Sequence, residues 1–249
     1  MTHCTKTLGL MLLAITAFSG VAISAEKVHY IDLQPQANRK LTDNQGRGFP
    51  GNSLASLPTG EQKLGDSKFQ IGPGLIQLGS QVLEKQPAEV KDIKVGKKFT
   101  KLVILQAVCF GGGPNTEGSE WHIKDGTVLG HYLVHYKDKS TEKIPIVYGE
   151  DVRDWFYEDG EKEPSKAKVV WKGDNEIAAS VGCHLRLYAA TWINPKPDVK
   201  VTRIDFVALK GDTPGAPVCL AMTAIKEKPK DKAKAEAEAK AKTNTFTEK

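Results

Sequence analysis

The sequence predicts an all-β fold, a single β-sandwich of the jelly-roll kind, on three observations. Many short segments alternate apolar and polar residues or are apolar throughout, which is typical of strands. Turns rich in glycine and proline separate these segments, and the chain contains 23 Gly and 13 Pro. Helical periodicity is almost absent, so a sandwich is favoured over mixed folds. We expect one domain, residues 26–225, flanked by two segments that do not belong to it.

The first 25 residues have the composition of a secretory signal peptide. Lys6 supplies a positive charge, residues 8–17 form an apolar run, and small side chains precede a cleavage point after Ala25. The apolar run is shorter than a membrane span requires. We therefore predict an exported protein, periplasmic or extracellular, without a membrane-spanning segment.

The C-terminal segment, residues 226–249, contains eight lysines and five acidic residues. Residues 226–242 carry no large apolar side chain, so we expect this tail to be disordered or to form a lone helix. The formal net charge of +5 comes mostly from the tail, which is weak evidence for nucleic-acid binding, and we predict no nucleic-acid partner. The tail lysines would allow loose adhesion to anionic envelope polymers.

The first half of the domain contains short predicted strands around one long loop. Residues 28–33 alternate and form the first strand, and residues 62–71 form two arms around a turn at Gly65 and Asp66. Residues 75–78 and 90–95 are further strands. Residues 41–58 are rich in Gly, Asn, Asp and Pro, which predicts an ordered loop rather than an element.

The middle of the chain contains the most apolar strand and a predicted hairpin. Residues 102–110 are apolar at nearly every position, which predicts a strand buried on both faces in the middle of the sandwich. A glycine-rich loop, residues 111–120, follows and ends at Trp121. Residues 130–136 and 144–155 predict a β-hairpin, and we expect the other strands to stack on it.

The last predicted strands are residues 167–171, 183–193, 199–209 and 218–225. In the second of these, Leu185 and Leu187 share one face, and Arg186, Tyr188 and Trp192 share the other. Trp171 and Trp192 lie within strand patterns, so we predict that both are in or near the core. The three cysteines of the domain, Cys109, Cys183 and Cys219, are predicted to be small buried side chains, either all free or with one pair bridged.

Several stretches resemble a galactose-binding-like β-sandwich, the carbohydrate-binding-module-like domain of exported bacterial proteins. They are Tyr30-Ile-Asp-Leu-x-x-x-Ala-Asn38, Leu57-Pro-Thr-Gly60, Phe69-x-Ile71, Gly130-His-Tyr132, Ile144-Pro-Ile-x-Tyr-Gly-x-Asp-Val-x-Asp-Trp155, Trp171-x-Gly, Arg186-Leu-Tyr188, Trp192-x-Asn-Pro-x-Pro197 and Val201-x-x-Ile-Asp205. The resemblance covers about residues 28–225. It implies a jelly-roll sandwich that binds carbohydrate without catalysis. Such modules mostly accompany other domains, whereas we expect this one to stand alone, with no catalytic domain fused to it.

Two aromatic loops have the residue types that bind sugars. A sugar ring stacks on an aromatic face while charged or amide groups bind its hydroxyls. Arg153, Asp154 and Trp155 supply this chemistry at the end of the predicted hairpin. Glu120, Trp121 and His122 supply it at the end of the glycine-rich loop. The alternative is that both tryptophans close the open ends of the sandwich.

A structural calcium ion is a further expectation for a sandwich of this kind. Calcium takes six or more oxygen ligands. The candidates are Asp32, Asn38, Asp43 and Asn52 in and before the early loop, or Glu150 and Asp151. The alternative is that these side chains cap turns. No other cofactor is predicted.

No catalytic constellation stands out in the sequence. Neither a His-Glu-x-x-His nor a Gly-x-Ser-x-Gly pattern occurs. His131 and His135 share a strand face with Leu133, which favours a packed or partly solvated surface over a ligand pair. We therefore predict a non-catalytic, secreted carbohydrate-binding module. A structural or protein-interaction module of the envelope is the alternative, and a secreted hydrolase is a third reading.

Overall fold

The computed structural model describes residues 26–112 and 121–227. The predicted signal peptide, residues 113–120 of the glycine-rich loop, and residues 228–249 of the tail lie outside the described residues. The described chain contains a 3₁₀ helix at Gln34–Gln36, one short α-helix, α1 (Glu176–Ser180), and fourteen strands. The strands are β1 (Lys27–Ile31), β2 (Arg39–Lys40), β3 (Gly60–Leu64), β4 (Ser67–Ile71), β5 (Gly74–Gln77), β6 (Glu89–Lys97), β7 (Lys101–Cys109), β8 (Val128–Tyr136), β9 (Thr141–Val147), β10 (Phe156–Tyr157), β11 (Lys168–Gly173), β12 (His184–Ile193), β13 (Val201–Ala208) and β14 (Ala216–Lys226).

Two antiparallel sheets pack as a sandwich. The larger sheet has eight strands in the order β10-β12-β7-β14-β5-β2, with β1 paired to β14 and β11 paired to β12. The smaller sheet has four strands in the order β6-β13-β8-β9. Strands β3 and β4 form a separate hairpin.

Strands β7 and β14 form the centre of the larger sheet and are buried on both faces. Leu102, Ile104 and Val108 of β7 face the smaller sheet, in a layer that also contains Tyr132 and Phe206. The alternate residues of β7 enter a second apolar layer, which contains Val103, Leu105, Ala107 and Cys109. The β3–β4 hairpin, the loop of residues 41–58 and α1 cover this second layer. The predicted burial of this strand on both faces is confirmed.

The predicted hairpin of β8 and β9 forms, but it is not the element around which the other strands are organised. Strands β8 and β9 do pair antiparallel, with His131 opposite Pro145. They belong to the smaller sheet, however, where β9 is an edge strand. The expectation that the other strands stack on this hairpin is therefore wrong. The continuous apolar composition of β7 and β14 places that pair at the centre instead.

The remaining strand predictions agree with the structure to within a few residues. The elements that the sequence did not predict are all short. The α1 helix was not predicted, because its five residues contain too few turns to show a helical period. Strands β2 and β10, of two residues each, were also missed. The three cysteines are buried, and all three are free. No helix among the described residues is long and apolar enough to cross a membrane.

The stacked pair of Tyr132 and Phe206 gives a test of the inter-sheet layer. Their ring centroids lie 4.6 Å apart, and Phe206 is fully buried. We expect Phe206→Ala to lower the free energy of unfolding by about 3–5 kcal/mol, because it leaves a cavity between the sheets. Urea denaturation measures this change. The control is Val207→Ala, at the next and partly exposed position, and an equal loss in both variants would contradict the assigned layer.

Candidate ligand-binding cleft

A cleft of about 410 Å³ opens beside the second apolar layer, at the end of β7. Four chain segments line it, and each comes from a different part of the sequence. The lining residues are Gly46, Phe49 and Asn52 from the long loop; Cys109, Phe110, Gly112 and Trp121 from the end of β7 and the glycine-rich loop; Asp154, Trp155, Phe156 and Glu158 around β10; and Ile177, Val181 and Cys183 from α1 and the turn after it. The walls are mainly apolar, with few polar groups, as is typical of ligand sites.

The segment that carries Asp154 and Trp155 is held between two strands of the larger sheet. The backbone N–H of Trp155 donates to the carbonyl of Val108 over 2.9 Å, and the N–H of Arg186 donates to the carbonyl of Trp155 over 2.8 Å. Trp155 is only 4% exposed, and its ring stacks on that of Phe156 with centroids 5.4 Å apart. One wall of the cleft is therefore part of the sheet and fixed by its hydrogen bonds.

Asp154 is a buried carboxyl group in the wall of the cleft. One oxygen accepts a hydrogen bond from the backbone N–H of Phe156 over 2.8 Å, and the other accepts one from the N–H of Gly111. Burial raises the pKa of Asp154 to about 7, against the opposing effects of those two N–H donors and of the Arg186 charge. The carboxyl thus links β10 to the start of the glycine-rich loop, and it changes charge near neutral pH.

A buried arginine supports this segment from behind. Arg186 is 1% exposed, and its Nε donates to the carbonyl of Asp154 over 3.1 Å. Its Nη2 donates to Glu161 over 2.9 Å, and its guanidinium lies over the rings of Tyr157 and Tyr188. An ion pair with further hydrogen bonds offsets the cost of burying this charge. The backbone of Asp154 is therefore fixed by side chains as well as by the sheet.

Trp121 and Phe110 form the aromatic wall on the side of the glycine-rich loop. Their ring centroids lie 5.4 Å apart, and Trp121 is partly exposed. The guanidinium of Arg47, from the long loop, lies 5.2 Å from the centroid of the Trp121 ring, a cation–π distance. Phe110 has φ 59°, which costs energy for a residue with a side chain. The strained residue directs the chain out of β7 at the cleft.

The long loop is attached to α1 by an asparagine pair. The side-chain amide of Asn175 donates to Oδ1 of Asn52 over 3.0 Å and to the carbonyl of Ser53 over 3.1 Å. Its oxygen caps α1 by accepting from the N–H of Ala178 over 2.7 Å. The loop then presents Phe49, which is 52% exposed, at the mouth of the cleft.

The structure brings some of the sequence-predicted sugar-binding residues together and separates others. Trp121, Asp154 and Trp155 line one cleft, although the sequence presented them as two separate loops. His122 is exposed and does not line the cleft. Glu120 lies outside the described residues.

Arg153 has a different environment from the one predicted. It is 7% exposed, its Nη2 donates to Asp125 over 2.7 Å, and its guanidinium lies over the ring of Tyr148. It is absent from the lining of the cleft. Its charge is thus engaged by an acid and an aromatic ring, and sugar binding by Arg153 stays a prediction.

The candidate calcium ligands form local hydrogen bonds. Asp32 accepts from the N–H of Gln34 over 2.9 Å, and Asp43 accepts from the N–H of Lys40 over 2.8 Å. Asn38 exchanges two hydrogen bonds with the backbone of Gln77. Within residues 26–112 and 121–227, no three His, Cys, Asp or Glu side chains are grouped to hold a metal ion. Calcium binding stays a prediction, and an ion there would compete with these turn contacts.

Sequence reasoning missed most of the cleft. Phe49, Phe110, Ile177 and Val181 were not considered, and Asn52 was considered only in the context of calcium. Phe49 had a usable signal, because a large aromatic residue in a loop of Gly, Asn and Pro has no strand to pack in. Ile177 and Val181 had none, since Ile177 lies within a helix of five residues and Val181 directly follows it.

Comparisons with known proteins give no relative for this chain. No family model matches it, and no match was found among the curated proteins or the solved structures.

The buried carboxyl predicts a specific pH dependence of stability. Because the pKa of Asp154 is raised on folding, its stabilising contribution is complete below about pH 4 and is lost as the pH rises through about 7. We expect Asp154→Asn to be less stable than the wild type at pH 4. The side-chain NH₂ of the asparagine would face a backbone N–H donor where a carboxyl oxygen now accepts one. Between pH 4 and 8 the difference in free energy of unfolding between the variant and the wild type should shift in favour of the variant by up to about 4 kcal/mol.

Urea denaturation at a series of pH values measures this shift. The control is Asp159→Asn, which removes an exposed carboxyl a few residues away. If wild type and Asp154→Asn differed by the same free energy of unfolding at every pH, the raised pKa of Asp154 would be contradicted.

Proposed function

We propose that this chain is a non-catalytic, exported β-sandwich module that binds a glycan in the cleft. The observation that carries the proposal is the meeting of Trp121, Trp155, Phe110 and Phe156 in one cleft with the polar groups of Asn52, Asp154 and Glu158. Aromatic rings stack on the apolar face of a sugar, and a few polar groups fix its hydroxyls. A volume of about 410 Å³ lies in the range of small-ligand sites.

The fold and the composition support the same proposal from a second side. The described residues form the sandwich of two antiparallel sheets that the resemblance to galactose-binding-like modules implies, and we propose the jelly-roll arrangement as its finer description. Export, to the periplasm or beyond, follows from the signal-like composition of residues 1–25. The partner is then a polysaccharide or glycan of the envelope or its surroundings.

The exposed rim of the cleft also supports the binding proposal over a purely structural module. A structural module needs no concave aromatic site, and its aromatic residues would be buried in the core. Here Phe49 is 52% exposed and Val181 is 60% exposed at the rim. Apolar side chains held open to solvent beside a cleft are typical of a binding surface.

A hydrolase is the second candidate, because two carboxyl groups line the same cleft. Asp154 has a pKa raised to about 7 and Glu158 is partly exposed, and an acid with a raised pKa paired with a second carboxylate is the arrangement of glycosidases. Both oxygens of Asp154 already accept backbone N–H groups, however, which favours a structural use of this carboxyl. Release of reducing ends from the bound polymer separates the two candidates.

The binding proposal predicts that affinity for the glycan falls when exposed aromatic side chains of the cleft are removed. We expect the protein to be retarded in native gels cast with one polysaccharide of a neutral and acidic panel. Trp121→Ala and Phe49→Ala should weaken that retardation by about tenfold or more, since each removes a stacking surface at little cost to the core. Trp155→Phe, which keeps a ring in the buried position, should weaken it less.

The matched control is Trp192→Ala, since Trp192 is a partly buried tryptophan that lies outside the cleft. Equal retardation of Trp121→Ala and wild type, or loss of retardation in Trp192→Ala alone, would overturn the proposal. Absence of retardation on every polymer would move the assignment to a structural module.

A further inference from the structure

Both charged side chains in the described lining of the cleft are acidic. They are Asp154 and Glu158, and none of the described lining residues is Lys, Arg or His. The lysines that follow in the sequence, Lys162 and Lys166, each pair with another acid. The Glu158 carboxylate forms no ion pair with any residue that the structure describes. Because it is also partly exposed, it is available to a ligand.

Two thiols of the lining respond to these acids. Burial raises the pKa of the Cys183 thiol, and the negative charges of Glu158 and Asp154 raise it further. Burial likewise raises the pKa of Cys109, with the charge of Asp154 adding to the effect. Burial is the larger cause at both thiols, but the electrostatic contribution of the acids has the same sign at each. The acids therefore disfavour a further negative charge in the cleft and favour a positive one.

Aromatic rings surround the same acids. The face of an aromatic ring carries partial negative charge and attracts cations, tryptophan most strongly. One ring of the cleft already makes such a contact, since the guanidinium of Arg47 lies 5.2 Å from the centroid of Trp121. Arg47 is exposed and does not belong to the lining, so the cation of the protein lies outside the cleft. The rings in the lining are those of Phe49, Phe110, Trp121, Trp155 and Phe156.

The acids and the rings together select the charge of a ligand. A neutral sugar stacks on the rings but leaves the Glu158 carboxylate without a partner of opposite charge. An anionic sugar brings a charge of the same sign into the cleft, which costs energy in surroundings of low dielectric. A protonated amine pairs with the carboxylate and is attracted by the ring faces. Because the formal net charge of the chain is +5, its overall field does not attract cations, and a preference for an amine would come from the cleft itself.

We propose that the glycan of the cleft carries a positively charged amine, as an amino sugar with a free amino group does, and that Glu158 binds this amine. The inference rests on the proposed function, because it names the chemical class of the same ligand. The sugar ring stacks on the exposed aromatic faces, a contact that neutral sugars share. The amine adds an ion pair and a cation–π contact to it, so an amino sugar binds more tightly than its neutral form.

The test compares two oligosaccharides of equal length, a glucosamine hexamer and its fully N-acetylated form, by titration calorimetry with the full chain. A mildly acidic buffer keeps the sugar amines protonated. The wild type should bind the glucosamine hexamer about tenfold more tightly than the acetylated one, and only the binding of the charged hexamer should weaken with salt. Glu158→Gln should reduce the preference to about threefold or less, because only the cation–π contact remains.

The matched control is Glu163→Gln, which removes an exposed carboxylate outside the lining of the cleft. It should keep the full preference for the glucosamine hexamer. Choline chloride, a quaternary amine without a sugar, should displace the hexamer only at much higher concentration, because it lacks the stacking contact.

The outcomes separate this inference from the proposed function. Equal or tighter binding of the acetylated hexamer would overturn the amine and leave glycan binding in place. An undiminished preference in Glu158→Gln would overturn the role of Glu158. Tighter binding of choline than of the glucosamine hexamer would overturn the assignment of the amine to a sugar. If neither hexamer nor any polysaccharide of the gel panel bound, the proposed function would fail, and this inference with it.

Discussion

The fold depends on the burial of strands β7 and β14 on both faces. The larger sheet must therefore be covered on each side. The smaller sheet covers one face. The second face is covered by the β3–β4 hairpin, the long loop and α1, because the chain forms no further sheet there within the described residues. This cover of loops and short elements leaves the end of β7 open. The aromatic cleft lies at that end, where residues 109–112 leave the sheet.

Polar groups at this end determine its rigidity. The carboxyl of Asp154 accepts hydrogen bonds from two backbone N–H groups, and the side chains of Arg186 and Tyr188 donate to its backbone carbonyl. Buried polar groups without partners would destabilise the fold, so these bonds are requirements of the sheet edge as well as features of the site. The same network accounts for the burial of Asp154, whereas Arg153 is buried against Asp125 and Tyr148. A site supported in this way is largely formed before a ligand arrives.

Much of the fold could be predicted from the sequence, and the cleft only in part. Apolar residues at consecutive positions indicated a doubly buried strand at residues 102–110, and alternation indicated the faces of β12. The pairing of β7 with β14, in contrast, joins segments that are distant in the sequence. The contact between Asn52 and Asn175 spans 123 positions, and no local pattern indicates it. Trp121 and Trp155 were identified by residue type and loop position, whereas their meeting in one cleft required the tertiary structure.

The most direct test follows the indole N–H signals of the four tryptophans by NMR while a soluble oligosaccharide of the retarding polymer is added. Trp121 and Trp155 line the cleft, and Trp171 and Trp192 do not, so the chain contains its own internal control. The account predicts that the signals of Trp121 and Trp155 shift together with one dissociation constant, while those of Trp171 and Trp192 stay in place. Shifts confined to Trp171 or Trp192, or no shift at saturating oligosaccharide, would contradict a glycan site in the cleft.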